Sequence, residues 1–371
     1  MTSLWSRFGL ALALAGLTQV GAAAIKSAQT APPPVKAKAA PAPGVAPRPA
    51  PRPPAAPAFL RDRLDQLGAA FDGRVGIAVR SIDEGWETGW KDNELYPQQS
   101  VSKLWVSITA LDAIDKGRVR LDDKVTLTSS DLTLFHQPIR TLILGNGGYT
   151  TTLSDLMVKA ITTSDNTAND KLMRAVGGAE AVRSMIAAKR LGAIRFYNGE
   201  RALQSKIAGL IWSQSYSIGN AFFEARDALP MAVRRAAFNR YIEDPYDGAS
   251  PSAIVGALAR LKRGELLSPQ STARLLDKMG NTHTGPNRLK GGLQPGWSLS
   301  HKTGTGQQLG NVQAGYNDIG ILTAPDGKSY SVAVMIKKTS TPLHVRMTLM
   351  NNVVKAVIAQ HDMAKGPGNA L

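Results

Sequence analysis

The stretch Ser100-Val101-Ser102-Lys103 places a hydroxyl and an amine three residues apart at the start of an apolar run. Leu104, Ile108 and Leu111 continue this run at the spacing of one helix face, which predicts a buried helix with Ser100 in its first turn. Side chains at i and i+3 share a face, so the amine would lie beside the hydroxyl. The stretch predicts an activated serine; a capping serine with a solvated lysine is the alternative.

Two further short motifs follow in a fixed order. Ser164-Asp165-Asn166 lies between two predicted helices, where a capping turn is the alternative interpretation. Lys302-Thr303-Gly304-Thr305-Gly306 falls on a predicted strand. Each motif is weak alone, but together and in this order they form the set found in class A β-lactamases and penicillin-binding proteins. From about residue 58 to its end, the chain therefore resembles a class A serine β-lactamase.

Predicted strands occur at both ends of this region, with helices between them. An amphipathic helix at Leu60, Leu64 and Leu67 precedes strands at 74–81 and 86–90. Further strands are predicted at 298–304, 315–322 and 330–336, and a closing helix at 343–358. We expect an α+β fold in which both chain ends build one antiparallel sheet with flanking helices, and an all-helical subdomain is inserted in the middle. The resemblance implies the same fold, with the site in a cleft between the two parts.

The resemblance also implies the roles of the reacting groups. Ser100 would open a β-lactam ring and form an acyl-enzyme, with either Lys103 or Glu200 as the base of that step. Ser164 would pass a proton to the leaving lactam nitrogen. Glu200 would activate the water that releases the product, which separates a β-lactamase from a penicillin-binding peptidase.

The remaining family positions would bind the substrate. Asn166 would hydrogen-bond the acylamino side chain, and Gly304 would leave room for the substrate along the strand edge. The backbone N–H groups of Ser100 and Thr305 would form the oxyanion hole. The substrate carboxylate would be bound by three side chains, Lys302, Thr303 and Arg288.

The loop around Glu200 departs from the family pattern. Glu200-Arg201-Ala202-Leu203-Gln204 resembles the family's Glu-x-x-Leu-Asn, and Asp247 resembles the far end of the same loop. Gln204 stands where asparagine is usual, and Asn198 replaces the arginine that normally pairs with the residue at Asp247. Between these ends the chain carries an apolar insertion of about 205–246. We expect the insertion to fold as two helices and to pack over the cleft entrance.

Composition and the N-terminus suggest export. Residues 1–24 resemble a cleavable signal peptide, residues 25–57 form a Pro/Ala-rich linker, and residues 58–371 form the catalytic domain. The 371 residues carry a formal charge of +16 and no cysteine. For an exported chain this charge favours weak association with the anionic cell envelope over nucleic acid. We expect a secreted or periplasmic monomer.

Metal and cofactor signals are absent from the sequence pattern. The histidines, among them His136, His283 and His301, show no metal-ligand spacing, and we expect neither a metal nor a cofactor. Gln98-Gln99-Ser100-Val101 and 316–320 resemble an extended-spectrum subgroup and favour broad cephalosporin access. The predicted function is hydrolysis of β-lactams. The alternatives are a DD-peptidase and a non-hydrolytic β-lactam- or peptidoglycan-binding envelope protein.

Overall fold

The computed structural model describes residues 54–365. The predicted signal peptide and nearly all of the predicted linker lie outside this range. The helices are α1 (Ala58–Ala70), α2 (Lys103–Asp115), α3 (Arg140–Gly145), α4 (Leu153–Val158), α5 (Asn166–Ala175), α6 (Gly178–Ala188), α7 (Glu200–Ile207), α8 (Ala221–Asp227), α9 (Met231–Glu243), α10 (Pro251–Lys262), α11 (Pro269–Gly280) and α12 (Leu343–Lys365). The strands are β1 (Arg74–Ser81), β2 (Glu87–Trp90), β3 (Tyr96–Pro97), β4 (Lys124–Leu127), β5 (Tyr149–Thr152), β6 (Gly248–Ala249), β7 (Ser298–Thr305), β8 (Gln308–Leu309), β9 (Val312–Thr323) and β10 (Ser329–Thr339).

One antiparallel sheet joins the two ends of the described chain. Its strand order is β2-β1-β10-β9-β7, with β8 paired to β9. The β9–β10 hairpin forms the centre, since each of its strands pairs on both sides, and both strands are almost wholly buried. The turn between them contains Gly327 at φ 90°. That positive φ suits glycine, which has no Cβ to clash. Strand β7, which carries the third motif, is the edge strand of this sheet.

Both faces of the sheet are covered by helices. On one face, Leu60 and Leu64 of α1 pack with Val353 and Val357 of α12 against the inward side chains of the sheet. The other face packs against the helical middle of the chain, whose central helix is α2. Every residue of α2 from Lys103 to Leu111 is buried, so the lysine of the first motif lies inside the protein.

The inserted middle of the chain is mainly helical and also contains two short ribbons. Strands β4 and β5 pair with each other, and β3 pairs with β6 across the base of the loop that follows Glu200. The short ribbons were not expected from the helical pattern, because strands of two to four residues carry little periodicity. None of the helices described between residues 54 and 365 is long and apolar enough to span a membrane.

Candidate active site

Ser100 lies in a 3₁₀ turn, Gln99–Ser102, that leads directly into α2. The Nζ of Lys103 donates a hydrogen bond to Ser100 Oγ at 2.7 Å. The same amine contacts a carboxylate oxygen of Glu200, and both of these charged side chains are buried. An ammonium and a carboxylate buried together must compensate each other, since either one alone would be costly to desolvate. Lys103 therefore connects the hydroxyl of Ser100 to Glu200, a residue that is distant in sequence.

Glu200 is held from two sides. It begins α7, and its backbone N–H donates to Asp170 Oδ1 at 2.9 Å. Its second carboxylate oxygen accepts a hydrogen bond from Gln204 Nε2 at 3.1 Å. Gln307 Nε2 in turn donates to Gln204 Oε1 at 3.0 Å. Gln204 therefore orients the carboxylate of Glu200, and its longer side chain also bridges the loop to the segment that follows β7.

Ser164 faces a second buried lysine. It follows a π-helical turn, Lys159–Thr163, and adopts a left-handed conformation at φ 60°. Lys302 Nζ donates to Ser164 Oγ at 2.8 Å and to the carbonyl of Thr303 at 3.0 Å. Burial, together with the positive charge of Lys103, lowers the pKa of Lys302 well below its usual value. A hydroxyl in contact with such an amine is suited to exchanging a proton.

Arg288 is tied to strand β7 and its neighbour. Its guanidinium donates to the carbonyls of Gly304 at 3.1 Å and Asn317 at 2.7 Å, and to Thr305 Oγ1 at 2.6 Å. The guanidinium carbon also lies 3.8 Å from the ring centre of Tyr316. Arg288 thus places positive charge along the cleft and fixes the Thr305 hydroxyl.

Gly304 has a different role from the one expected. A Cβ at this position would meet the carbonyl oxygen of Gln98 at 2.3 Å and the side chain of Val101 at 3.2 Å. The missing side chain points into the protein, where the turn that carries Ser100 packs against β7. The interpretation that Gly304 leaves room for substrate is therefore wrong. The glycine allows the nucleophile turn and the strand to approach each other.

Each of the three motifs contributes residues to one cleft of about 470 Å³, whereas Lys103, Lys302, Glu200 and Gly304 are not among the residues that line it. Asn166, whose Nδ2 donates to the carbonyl of Leu134 at 2.8 Å, lies on its helical side. A larger surface groove of about 710 Å³ lies elsewhere and contains none of the motif residues. The residues that line the cleft are Ser100, Phe135, His136, Ser164, Asn166, Gln204, Thr284, Gly285, Arg288, Thr303, Thr305, Gly306 and Gln307.

Two of the histidines form hydrogen bonds within the fold, and one of them, His136, also lines the cleft. His301 Nδ1 lies 2.9 Å from Asp318 Oδ1 in the core beneath β7, and His136 Nε2 lies 2.7 Å from the carbonyl of Thr163. Within residues 54–365, no three His, Asp or Glu side chains are grouped in a way that would hold a metal ion.

The insertion contains two α-helices, α8 and α9, but it does not cover the cleft. None of the described residues of 208–246 lines the cleft. Phe222 and Phe223 instead pack against Phe135, with ring centres 5.2 and 6.3 Å away. The expected position over the entrance is therefore wrong, because the aromatic side chains of the insertion pack against Phe135 in the wall of the cleft. The insertion contacts that wall through aromatic side chains.

Backbone conformation marks Phe135, a cleft residue that the motifs do not contain. Five non-glycine residues in the described part of the chain have positive φ, and three of them are Gln99, Phe135 and Ser164. Such conformations cost free energy and concentrate at functional sites. Phe135 lines the cleft and is 41% exposed, yet no sequence pattern singled it out. A lone phenylalanine in a loop carries no signal of its position.

Asp170 predicts a pH-dependent contribution to stability. Burial, and then the negative charge of Glu200, raises the pKa of this carboxyl from 3.8 to about 6. The folded protein therefore binds this proton more tightly than the unfolded chain, and the group lowers stability as the pH rises from about 4 to about 6. Asparagine has no such proton to lose. As the pH rises from about 4 to about 6, the free energy of unfolding of Asp170→Asn should therefore increase by about 3 kcal/mol relative to that of the parent.

Urea unfolding of both proteins at several pH values between 4 and 7 measures this difference. The two carboxylate oxygens of Asp170 accept hydrogen bonds from the backbone N–H groups of Glu200 and Arg201. An asparagine has only one acceptor oxygen, so the variant loses one of these bonds. That loss lowers its stability by an amount that does not change with pH. Parallel stability profiles for the two proteins would contradict the raised pKa.

Comparison with known proteins fits this geometry. The model of a family described as "Beta-lactamase enzyme family" matches residues 59–361, which is most of the chain. The chain belongs to the β-lactamase enzyme family. The match covers the sheet, the helical middle and all three motifs of this family member.

Individual relatives give the class. The β-lactamase VEB-1 of Pseudomonas aeruginosa is 24% identical over 294 residues, 79% of this chain and 87% of the relative. The extended-spectrum β-lactamase PER-1, also of Pseudomonas aeruginosa, is 27% identical over 305 residues, 81% and 85% of the two chains. A solved ancestral class A β-lactamase superposes with a TM-score of 0.65 at 26% identity, covering 81% of this chain and 99% of its own. These similarities confirm a class A serine β-lactamase with the predicted α+β fold.

Proposed function

We propose that this enzyme hydrolyses the β-lactam ring through an acyl-enzyme on Ser100. The observation that carries the proposal is the contact of one buried amine, Lys103 Nζ, with both Ser100 Oγ and Glu200. Lys103 can take the proton that leaves the hydroxyl, either as a neutral amine or by passing a proton of its own to the carboxylate of Glu200, and either route makes the oxygen a nucleophile. The bond from Oγ to the lactam carbonyl carbon forms as the ring C–N bond breaks.

We propose that Ser164 and Lys302 return a proton to the departing lactam nitrogen. The support is the 2.8 Å hydrogen bond between them and the lowered pKa of Lys302, which eases proton exchange. The backbone N–H groups of Ser100 and Thr305 would stabilise the oxyanion. One such donor contributes about 10²–10³ to the rate of acyl transfer.

The substrate would lie along β7 and span the cleft. Its carboxylate would meet the hydroxyls of Thr303 and Thr305 within the positive field of Lys302 and Arg288. Asn166, on the opposite side, would hydrogen-bond the acylamino group. The likeness to an extended-spectrum relative supports broad cephalosporin access, and such hydrolysis would confer antibiotic resistance.

Deacylation distinguishes this proposal from the two alternatives. A penicillin-binding DD-peptidase would acylate but release product slowly, and a β-lactam- or peptidoglycan-binding envelope protein would not turn over. The buried Glu200, fixed by Gln204 beside Lys103, supports water activation and hence hydrolysis. A cleft that the insertion leaves uncovered also supports turnover over binding alone.

Turnover of a chromogenic cephalosporin by the purified protein, with parallel intact-mass measurement, tests the proposal. We expect many turnovers per enzyme and a short-lived mass increase. A single stoichiometric burst with a lasting adduct would support the peptidase. Binding without any adduct would support the envelope protein.

We also propose that the enzyme is exported and acts as a monomer. The signal-like residues 1–24 support export. The charge of +16 supports weak attraction to anionic envelope polymers rather than a role with nucleic acid. After expression of the full-length chain, the exported protein should begin near Ile25. Recovery of the chain with Met1 or Thr2 from the cytoplasm alone would contradict export.

A further inference from the structure

Asp247 closes the loop that follows Glu200 without an arginine. This carboxylate is 1% exposed and accepts two hydrogen bonds, one from the backbone N–H of Gln99 at 2.7 Å and one from the hydroxyl of Tyr241 at 3.0 Å. Asn198, at the near end of the loop, contacts Arg183 instead. Tyr241 belongs to α9 of the insertion and is wholly buried. The insertion therefore supplies the partner that holds Asp247.

The hydroxyl of Tyr241 is also connected to Glu200. Gln99 Nε2 donates to the Tyr241 oxygen at 2.5 Å, and Gln99 Oε1 accepts from Gln204 Nε2 at 3.0 Å. The same Gln204 nitrogen donates to Glu200 Oε2 at 3.1 Å. Asp247, Tyr241, Gln99 and Gln204 thus form a continuous buried path to the carboxylate, which we call the Tyr241 network.

The single proton of the tyrosine hydroxyl sets the direction of the bond between Tyr241 and Gln99. Because that proton is given to the carboxylate of Asp247, the tyrosine oxygen can only accept from the amide nitrogen of Gln99. The carbonyl end of the Gln99 amide then faces Gln204, whose nitrogen donates both to Gln99 and to Glu200. Gln204 is also held by Gln307, so loss of the tyrosine hydroxyl frees the Gln99 end of this path.

The Tyr241 network also contacts the nucleophile turn. Gln99 directly precedes Ser100 and has φ 54°, an uncommon conformation for a residue other than glycine. Its backbone N–H is fixed by Asp247, and its side chain by Tyr241. One tyrosine from the insertion therefore restrains both the residue before the nucleophile and the residue that orients Glu200.

We propose that Tyr241 is a positioning residue for Glu200 in deacylation, which gives the insertion a role in turnover. The inference rests on the proposed function, in which Glu200 activates the deacylating water. Tyr241 does not touch the reacting atoms. It acts by fixing the Gln99 amide that accepts from Gln204, and small misplacements of a catalytic group have large effects on rate.

Tyr241→Phe tests this role because it removes only the hydroxyl. The matched control is Tyr246→Phe, since the rings lie 6.0 Å apart and the Tyr246 hydroxyl has no hydrogen-bond partner among the described residues. Both variants are compared with the parent on a penicillin, with rates divided by the concentration of sites that a covalent β-lactam inhibitor titrates. This division removes the effect of any unfolded fraction.

We expect kcat per titrated site of Tyr241→Phe to fall about ten-fold or more, with KM falling by a similar factor. Slower deacylation makes the acyl-enzyme accumulate and lowers both constants together, whereas a purely structural loss would reduce only the number of titrated sites. Tyr246→Phe should match the parent. Gln99→Met interrupts the same path, so it should cause a similar fall, and combining it with Tyr241→Phe should add little.

Parent-like kcat and KM per titrated site in Tyr241→Phe would overturn the inference, as would a fall in titrated sites with no change per site. Full additivity of Tyr241→Phe and Gln99→Met would also overturn it. A parent protein that fails to turn over any β-lactam would instead remove the proposed function, so the two failures are distinguishable.

Discussion

Replacement of Ser100 by alanine is expected to abolish turnover of every β-lactam and all covalent labelling of the protein. Ser100 Oγ is the hydroxyl that Lys103 contacts at the start of α2, and it lines the cleft. Removal of the serine nucleophile of a serine protease lowers kcat on the order of 10⁶-fold, and a loss of similar size is expected here. The fold should persist, because loss of a hydroxyl at a helix start costs about 1–2 kcal/mol at most. Cephalosporin turnover, intact mass and thermal unfolding measure the three outcomes.

Ser102→Ala is the matched control for this change. Ser102 is two residues away on the same turn, but its hydroxyl is buried and donates to the carbonyl of Gln99 at 2.7 Å. We expect Ser102→Ala to retain labelling. Undiminished labelling of Ser100→Ala, or its loss in Ser102→Ala with the fold intact, would contradict the assignment of the nucleophile.

Replacement of Glu200 by alanine is expected to trap the enzyme after its first chemical step. Penicillins should still acylate Ser100, since Lys103 remains in contact with its hydroxyl. Product release should slow by about 10²–10⁴, the usual loss when a general base is removed. The acyl-enzyme should therefore accumulate, and kcat and KM should both fall. Rapid-quench mass spectrometry separates the two steps.

Acidic residues of the insertion provide the control for Glu200. Glu243 forms an exposed ion pair with Arg74 at 2.8 Å, and Asp244 pairs with Arg195 at 2.5 Å. Neither carboxylate lines the cleft. Glu243→Ala should therefore match the parent enzyme. Parent-like turnover by Glu200→Ala would mean that another group activates the water.

The sequence predicted the architecture well because the informative patterns are local. Long apolar strands such as β9 and β10, and the stripe of α2, bury nearly all of their residues, so periodicity identifies them directly. The order of the three motifs then indicated which side chains the fold brings together. Lys103 contacts both Ser100 and Glu200. Lys302 donates to Ser164 in a second group.

The parts that were not predicted depend on tertiary packing. The sequence does not show toward which side of β7 a Cβ at position 304 would point. In the structure it would point toward the carbonyl oxygen of Gln98, and therefore into the protein. The partner of Asp247 comes from an insertion whose helices have no family pattern to align. Apolar content could predict that the insertion folds, but only the surface available at Phe135 determines where it packs.

Departures from the family pattern nevertheless coincide with the contacts that differ. Asn198 and Gln204 are both unusual for the family, and both lie at the loop whose closure differs. Asn198 leaves Asp247 without an arginine, and Tyr241 takes that place. Gln204 reaches Gln99 as well as Glu200, a span that a shorter asparagine side chain would not cover. At both positions, a residue that differs from the family pattern accompanies a different set of hydrogen bonds around it.

The most direct test of the central claim is the location and lifetime of the acyl group on the parent enzyme and on Glu200→Ala. Each protein is mixed with a penicillin, quenched at intervals, digested and mapped by mass spectrometry. We predict an adduct on the peptide containing Ser100 that disappears quickly in the parent and persists in Glu200→Ala. An adduct on any other residue, no adduct in either protein, or equal lifetimes in the two would contradict hydrolysis through Ser100 and Glu200.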